Sequence, residues 1–229
     1  MNACIDHLVV AAASLEQGVA WCEATLGLRP TAGGQHPLMG THNRIFDISG
    51  PGHARVYFEI IAIDPHAPPP GRVRWFDLDD PALQAAVALE PRLVHFVARC
   101  DDAALAVQRL AALGIDRGEV LAAERPTPRG LLRWRITVRP DGQRLMHGAL
   151  PTLIQWGATH PADHLPDSGV RLQRLVAAAP PREAPALLMA YEALGLRHVA
   201  VEPGRGAPLQ AELSTPLGPV TLPAWSGTL

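Results

Sequence analysis

Two histidines, a glutamate and a glutamine hold matched positions in this 229-residue chain. His7 lies in the apolar run "IDHLVV" and His95 in "LVHFVA", while Glu59 follows in "YFEII" and Gln155 in "TLIQW". Two imidazoles with one carboxylate suit Zn²⁺, Fe²⁺, Mn²⁺, Co²⁺ or Ni²⁺, and they leave neighbouring coordination positions open for water or a bidentate substrate. Glutamine would add a neutral oxygen, a weaker donor than a carboxylate. Glu59, flanked by Phe58 and Ile60, is costly to bury unpaired, and a cation removes that cost. Each residue also has an ordinary reading: His7 as a hydrogen-bonded core histidine, Glu59 on a strand face shared with Tyr57 and Ile61, His95 paired with a backbone carbonyl, Gln155 as a core amide. The coincidence of four such side chains at matched places favours the joint reading, a metal site.

The elements that must position them recur. Residues 5–30, 93–118 and 172–199 each run from an apolar strand into a helix that ends in Leu-Gly-Leu or Leu-Gly-Ile. Ser14 with Gln17, then Asp101 or Asp102, are helix-start signals, and Gly27, Gly114 and Gly195 are the stops. Strand-like runs follow each helix, at 44–48 and 55–64, at 131–138 and 152–156, and at 209–213 and 219–222. The pattern predicts an α+β chain with a βαβββ module over 1–64, a proline-rich linker and extra helix over 65–91, a second module over 92–158, and a third, degenerate unit over 169–229. The third has Arg174 in the histidine place and lacks the rest of the set.

An apolar share of 48% with 18% charged residues is ample for a packed core. The net charge of −2 gives no electrostatic reason for a nucleic-acid or acidic-membrane partner. All twenty basic residues are arginine, which removes Schiff-base chemistry and phosphate loops that need lysine. Cys4, Cys22 and Cys100 suit buried thiols rather than a disulfide framework. No leader-like segment and no apolar run of about 18 residues occurs, so a soluble, cytoplasmic protein is expected.

With "IDHLVVAAASLEQGVAWCEATLGLRP", "GGQHPLMGTHNRIF", "YFEIIAID", "LVHFVARCDD" and "LPTLIQWGATHPA", the chain resembles the vicinal oxygen chelate superfamily, and within it the glyoxalase-like domain proteins. The resemblance implies curved mixed sheets built from βαβββ modules around a central cavity, with a divalent metal held by the first and last strands of each module. Carried over, the ligand places fall on His7, Glu59, His95 and Gln155, with Glu59 also the catalytic carboxylate. In glyoxalase I the fourth place is commonly Glu, so Gln155 is a departure that removes one candidate base. The glycine-punctuated loop over 33–43 resembles the family's pocket-lining loop, which nominates His36, Thr41, His42 and Asn43 for substrate contact. Tyr57 shares a face with Glu59, and Trp156 and His160 stand near the expected pocket mouth.

Two functions remain open on this reading. One is a metal-dependent lyase, isomerase or dioxygenase acting on a small molecule whose paired oxygens chelate the ion. The other is a metal-free small-molecule-binding protein of the same fold, of the sequestering kind. The unpaired third unit would leave an apolar face exposed, which suggests a homodimer.

Overall fold

A computed structural model describes residues 1–30, 32–127, 130–204 and 206–227. The first module runs β1 (Cys4–Ala11), α1 (Leu15–Leu26), β2 (Ala32–His36), β3 (Thr41–Asp47) and β4 (Tyr57–Ile63). Ser14 caps α1 by accepting the Gln17 N–H, and Gly27 ends it in the left-handed conformation at φ 73°. The second module runs β5 (Arg92–Arg99), α3 (Ala103–Ala111), β6 (Glu119–Thr127), β7 (Gly130–Val138) and β8 (Thr152–Trp156). Between the modules lies α2 (Pro81–Leu89), capped by Asp80.

In each module the last strand lies parallel beside the first, β4 on β1 and β8 on β5. The modules then join through the antiparallel pair β1·β5, giving one eight-stranded sheet in the order β2-β3-β4-β1-β5-β8-β7-β6. Leu8 pairs with Phe96 at the centre of that seam, flanked by His7 opposite Val97 and His95 opposite Val9. The two histidines are thus related by a local two-fold, each on its own module's opening strand. The sheet curls until Arg125 of β6 lies against Gly34 of β2.

The outer face carries α1 and α3, packed through Cys22, Leu26, Ala106 and Leu110 onto Phe58, Ile60 and Phe96. The concave face holds a separate apolar cluster that includes Val9, Ile61, Val97 and Ile154. Trp75, Phe76 and Leu78, from the segment that the sequence suggests as a linker, plug this face together with Leu83 and Val87 of α2.

Two expectations change, for the glycine-punctuated loop and for the third unit. The glycine-punctuated loop is a hairpin, with β2 and β3 paired from His36·Thr41 to Ala32·Ile45 and Gly40 in the left-handed conformation at the turn. The segment "HPADH" forms a single 3-10 turn, Pro161–His164. The third unit keeps the element order, with β9 (Arg171–Ala179), α4 (Ala184–Leu194), β10 (Ala200–Pro203), β11 (Leu209–Thr215) and β12 (Gly218–Pro223), but not the wiring. Its strands run β10-β9-β11-β12, so the parallel partner of the opening strand is the first strand after the helix, not the last. Its apolar side, Leu172, Leu175, Leu187, Tyr191 and Leu194, joins the outer-face core of the same chain, and the Tyr191 hydroxyl donates to Ala149 O at 2.6 Å. That burial removes the physical reason for expecting a dimer through this unit. No described helix is long and apolar enough to cross a membrane.

Candidate functional site

β1 is irregular where the chemistry begins. Ile5 pairs with Ala98 and His7 with Val97, which leaves Asp6 as a bulge residue. A bulge turns two successive side chains to one side, where a regular strand would alternate them. Asp6 and His7 therefore meet: Asp6 Oδ1 lies 2.6 Å from His7 Nδ1. Asp6 Oδ2 accepts Trp156 Nε1–H at 2.9 Å and faces His160 Nε2 at the same distance. His160 Nδ1 accepts the Ala162 N–H, so its Nε2 carries the proton given to Asp6. Complete burial by itself would raise the Asp6 pKa, but the hydrogen bonds and charges of His160 and His7 outweigh it and hold the group well below the usual carboxylate range. An ionised Asp6 only accepts, so His7 donates through Nδ1–H and, when neutral, has a bare Nε2.

That nitrogen faces Glu59 Oε2 at 3.6 Å. The other carboxylate oxygen, Oε1, accepts Asn43 Nδ2–H at 2.6 Å. Asn43 is oriented by the Gly34 N–H, which its Oδ1 accepts at 2.8 Å, so its amide group points at Glu59 and at His36 Nε2, 3.3 Å away. His36 is neutral with its proton on Nδ1, facing Thr41 Oγ1 at 3.0 Å. Burial, then the charge of Arg125, drives its pKa down to about 3. Tyr57 stacks on His7 with centroids 4.4 Å apart, and burial followed by the charges of Asp6 and Glu59 pushes its hydroxyl well above the ordinary range.

The cavity around these groups is small, about 30 Å³, and is walled by His7, His36, Asn43, Tyr57, Glu59 and Trp156 together with Trp75, Phe76, Arg125 and Ile154. A vestibule of about 330 Å³ shares Ile45, Arg125, Leu132 and Pro161 with it and reaches His160. Of the residues nominated for substrate contact, Thr41 supports His36 from below. His42 is on the opposite face of β3, with Nδ1 4.0 Å from Asp64 Oδ1, outside the residues that line the cavity.

The four candidate metal ligands do not converge. His95 donates Nδ1–H to Gly148 O at 3.0 Å, while its Nε2 accepts the Thr152 N–H at 2.9 Å, which occupies both nitrogens. Burial holds it neutral, its pKa well below the usual imidazole value. Gln155 lies outside the cavity, where its Oε1 accepts the Ala103 N–H at the start of α3. Register explains the difference. Val9 pairs with Glu59 and Val97 pairs with Thr152, each valine standing two residues beyond its histidine, so the counterpart of Glu59 is Thr152 and not Gln155. The second half-site is closed on itself: Thr152 Oγ1 lies 3.1 Å from His95 Nε2 and accepts a hydrogen bond from the buried Arg117. Among the described residues no group of three or more His, Cys, Asp or Glu side chains is placed to hold a metal ion. Of the four candidate ligands, only His7 and Glu59 present free donors, and the Arg117 guanidinium already occupies the other half. This donor set does not fit a resident divalent metal, for which three or four protein ligands are usual.

Sequence reasoning missed Asp6, Trp75 and Arg125. Asp6 beside His7 was visible as an ionisable pair inside an apolar run, but only the bulge puts both on one face.

Among solved structures, a hypothetical protein from Staphylococcus aureus matches 96% of this chain and 84% of its own at 12% identity, with a TM-score of 0.57. Methylmalonyl-CoA epimerase from Streptomyces coelicolor, in complex with 2-nitronate-propionyl-CoA, matches 68% of this chain and 96% of its own at 19% identity, with a TM-score of 0.42. The epimerase from Mycobacterium tuberculosis matches 66% and 85% at 16% identity, with a TM-score of 0.37. No curated protein matches the chain. The glyoxalase-like domain model matches residues 5–194, across both modules and into α4, and the chain belongs to that family, within the vicinal oxygen chelate superfamily.

Proposed function

We propose that the chain is a proton-transferring enzyme, of the isomerase or lyase type, acting on a small oxygen-bearing molecule without a resident metal. The observation that carries this reading is the pair of bare acceptors, His7 Nε2 and Glu59 Oε2, held 3.6 Å apart by groups that fix their other edges. Two lone pairs so placed repel unless a proton lies between them or a ligand supplies one. Asp6 fixes the tautomer that leaves Nε2 free and stabilises the imidazolium formed when that nitrogen takes a proton. Asn43 keeps one Glu59 oxygen occupied and the other turned to His7, so the carboxylate can return the proton to a neighbouring atom. Trp75 and Phe76 line the cavity with aromatic surface, and a low local dielectric there would strengthen both interactions. Oxygenase chemistry would need a redox metal with three protein donors, and the donor set argues against it.

The test is C–H to C–D exchange in D₂O, followed by proton NMR, on a panel of neutral and anionic carbonyl compounds, with a chelator present throughout. The expected result is exchange in at least one compound, unaffected by chelator and reduced about 10²-fold or more in His7→Gln. Exchange that depends on added Mn²⁺, Fe²⁺, Ni²⁺ or Zn²⁺ would overturn the metal-free reading. Compounds that bind with no exchange would leave a sequestering protein.

A further inference from the structure

The same cavity holds a cation that makes no ion pair among the described residues. Arg125 projects from the inner face of β6, its Nη1 buried and without a hydrogen-bond partner among the described residues. Trp75 lines the same cavity, and its Nε1 is buried and equally unpartnered. Arg125 as a whole is half-buried, whereas the buried Arg117 and Arg144 are satisfied: Arg117 donates to Pro151 O and Thr152, and Arg144 to Asp77 and Val94 O. The described residues give Arg125 no ion pair, since Glu59 Oε1 is taken by Asn43 and Oε2 faces His7. Two orphaned donors in a water-poor pocket are unfavourable unless a ligand accepts from them.

We propose that the substrate is a monocarboxylate whose acid group accepts from Arg125 Nη1–H and Trp75 Nε1–H, and whose apolar part occupies the vestibule. This rests on the proton-transfer reading for the word substrate, but the acid site stands on Arg125 and Trp75 alone. The planar guanidinium matches a flat carboxylate. A flat carboxylate needs less of this small inner space than a tetrahedral phosphate does. Arg125 belongs to both cavities, so an acid anchored on it extends past Ile45, Leu131, Leu132, Pro161 and Leu165, an apolar wall. Gly34 makes the arrangement: a Cβ there would fall 1.7 Å from Arg125 Nη1, and only its absence lets the guanidinium rest where it does.

Calorimetric titration with 4-phenylbutyrate, its neutral amide and inorganic phosphate tests the site. The acid is expected to bind about tenfold more tightly than the amide, and phosphate not to compete. Arg125→Gln should erase the preference, and Gly34→Ala should weaken acid binding about fivefold or more by displacing the guanidinium with no change of charge. His7→Gln should keep the preference. Equal binding of acid and amide, no binding of either at millimolar concentration, or a preference that survives Arg125→Gln in a folded protein would overturn the proposal. Exchange of neutral ketones without acid preference would sink this inference and spare the proton-transfer reading; acid preference without exchange would do the reverse.

Discussion

Asp6→Asn replaces one carboxylate oxygen by an NH₂ group in a pocket where every neighbour is a donor. Trp156 Nε1 and His160 Nε2 both donate to Oδ2, and His7 Nδ1 donates to Oδ1 at 2.6 Å. The asparagine oxygen keeps the two bonds on the Oδ2 side, which leaves its NH₂ against His7 Nδ1. His7 must then accept at Nδ1 and carry its proton on Nε2, facing Glu59. A base with the proton on the wrong nitrogen cannot abstract another, so exchange should fall by about 10²–10⁴-fold. Loss of one charge-assisted bond costs about 2 kcal/mol, a drop in Tm of about 4–8 °C for a chain of this size. Nitrogen-15 correlation spectra of the imidazoles report the tautomer directly and need no substrate. The wild type should show protonated Nδ1 and bare Nε2 at His7, and Asp6→Asn the reverse. A wild-type His7 protonated on Nε2 alone would refute the assignment of the base.

Further outcomes follow from the same geometry. His95→Ala should cost about 2–4 kcal/mol, because it orphans Gly148 O and the Thr152 N–H and opens a void, whereas Gln155→Ala should cost about 1 kcal/mol through the Ala103 N–H; neither should change ligand binding by calorimetry. Gly18→Ala would bring a Cβ to 2.3 Å from Ile60 Cγ2, so denaturant unfolding should show a loss of about 1–2 kcal/mol despite the better helix propensity; a gain would mean that α1 can shift off β4. His36 has its pKa lowered from 6.5 to about 3, and His95 is lowered too, so the unfolded chain binds more protons than the folded one below the ordinary imidazole range. Their contribution is complete above pH 6.5 and is lost as pH falls toward 3, and Asp6 adds a loss of the same sign below its ordinary value of 3.8. The urea midpoint should therefore decline from pH 7 to pH 4, less steeply in His36→Gln; an unchanged slope would show that His36 does not stay neutral in the fold.

Strand–helix alternation and its punctuation were legible because Ser14, Asp102, Gly27 and Gly195 act through local geometry. His7 and Glu59 were legible as a pair for the same reason, each sitting in an apolar strand that a charge or imidazole would not enter without cause. His95 was matched correctly to His7, since each lies the same distance before its helix cap. What pattern does not encode is the register of β8 on β5, and there a polar residue three places too far along was chosen over Thr152. Nor does it encode hydrogen bonding: His95 sits at the right place on the strand and spends both nitrogens on backbone groups. The hairpin of β2 and β3 was hidden by its glycines, which signal turns and which here leave room for Arg125. The concave plug was hidden because Trp75 and Phe76 lie in a proline-rich stretch with no periodicity.

The two halves of the sheet share a strand plan and divide the work. On one side of the Leu8·Phe96 seam, a histidine and a glutamate keep their reactive edges free because Asp6 and Asn43 hold the opposite edges. On the other side, the equivalent histidine and threonine satisfy each other, and Arg117 supplies the positive charge there from within the chain. A divalent ion spanning both halves would have to displace that guanidinium's partner and break the His95 bond to Thr152, at a cost that the remaining two donors do not offset. The second module lines the cavity with Arg125, Leu132, Ile154 and Trp156, and on the proposed reading contributes recognition instead. On that reading, proton chemistry from one module and an acid-binding, apolar wall from the other would give the cavity a direction. A ligand with one charged end has only one way to enter it.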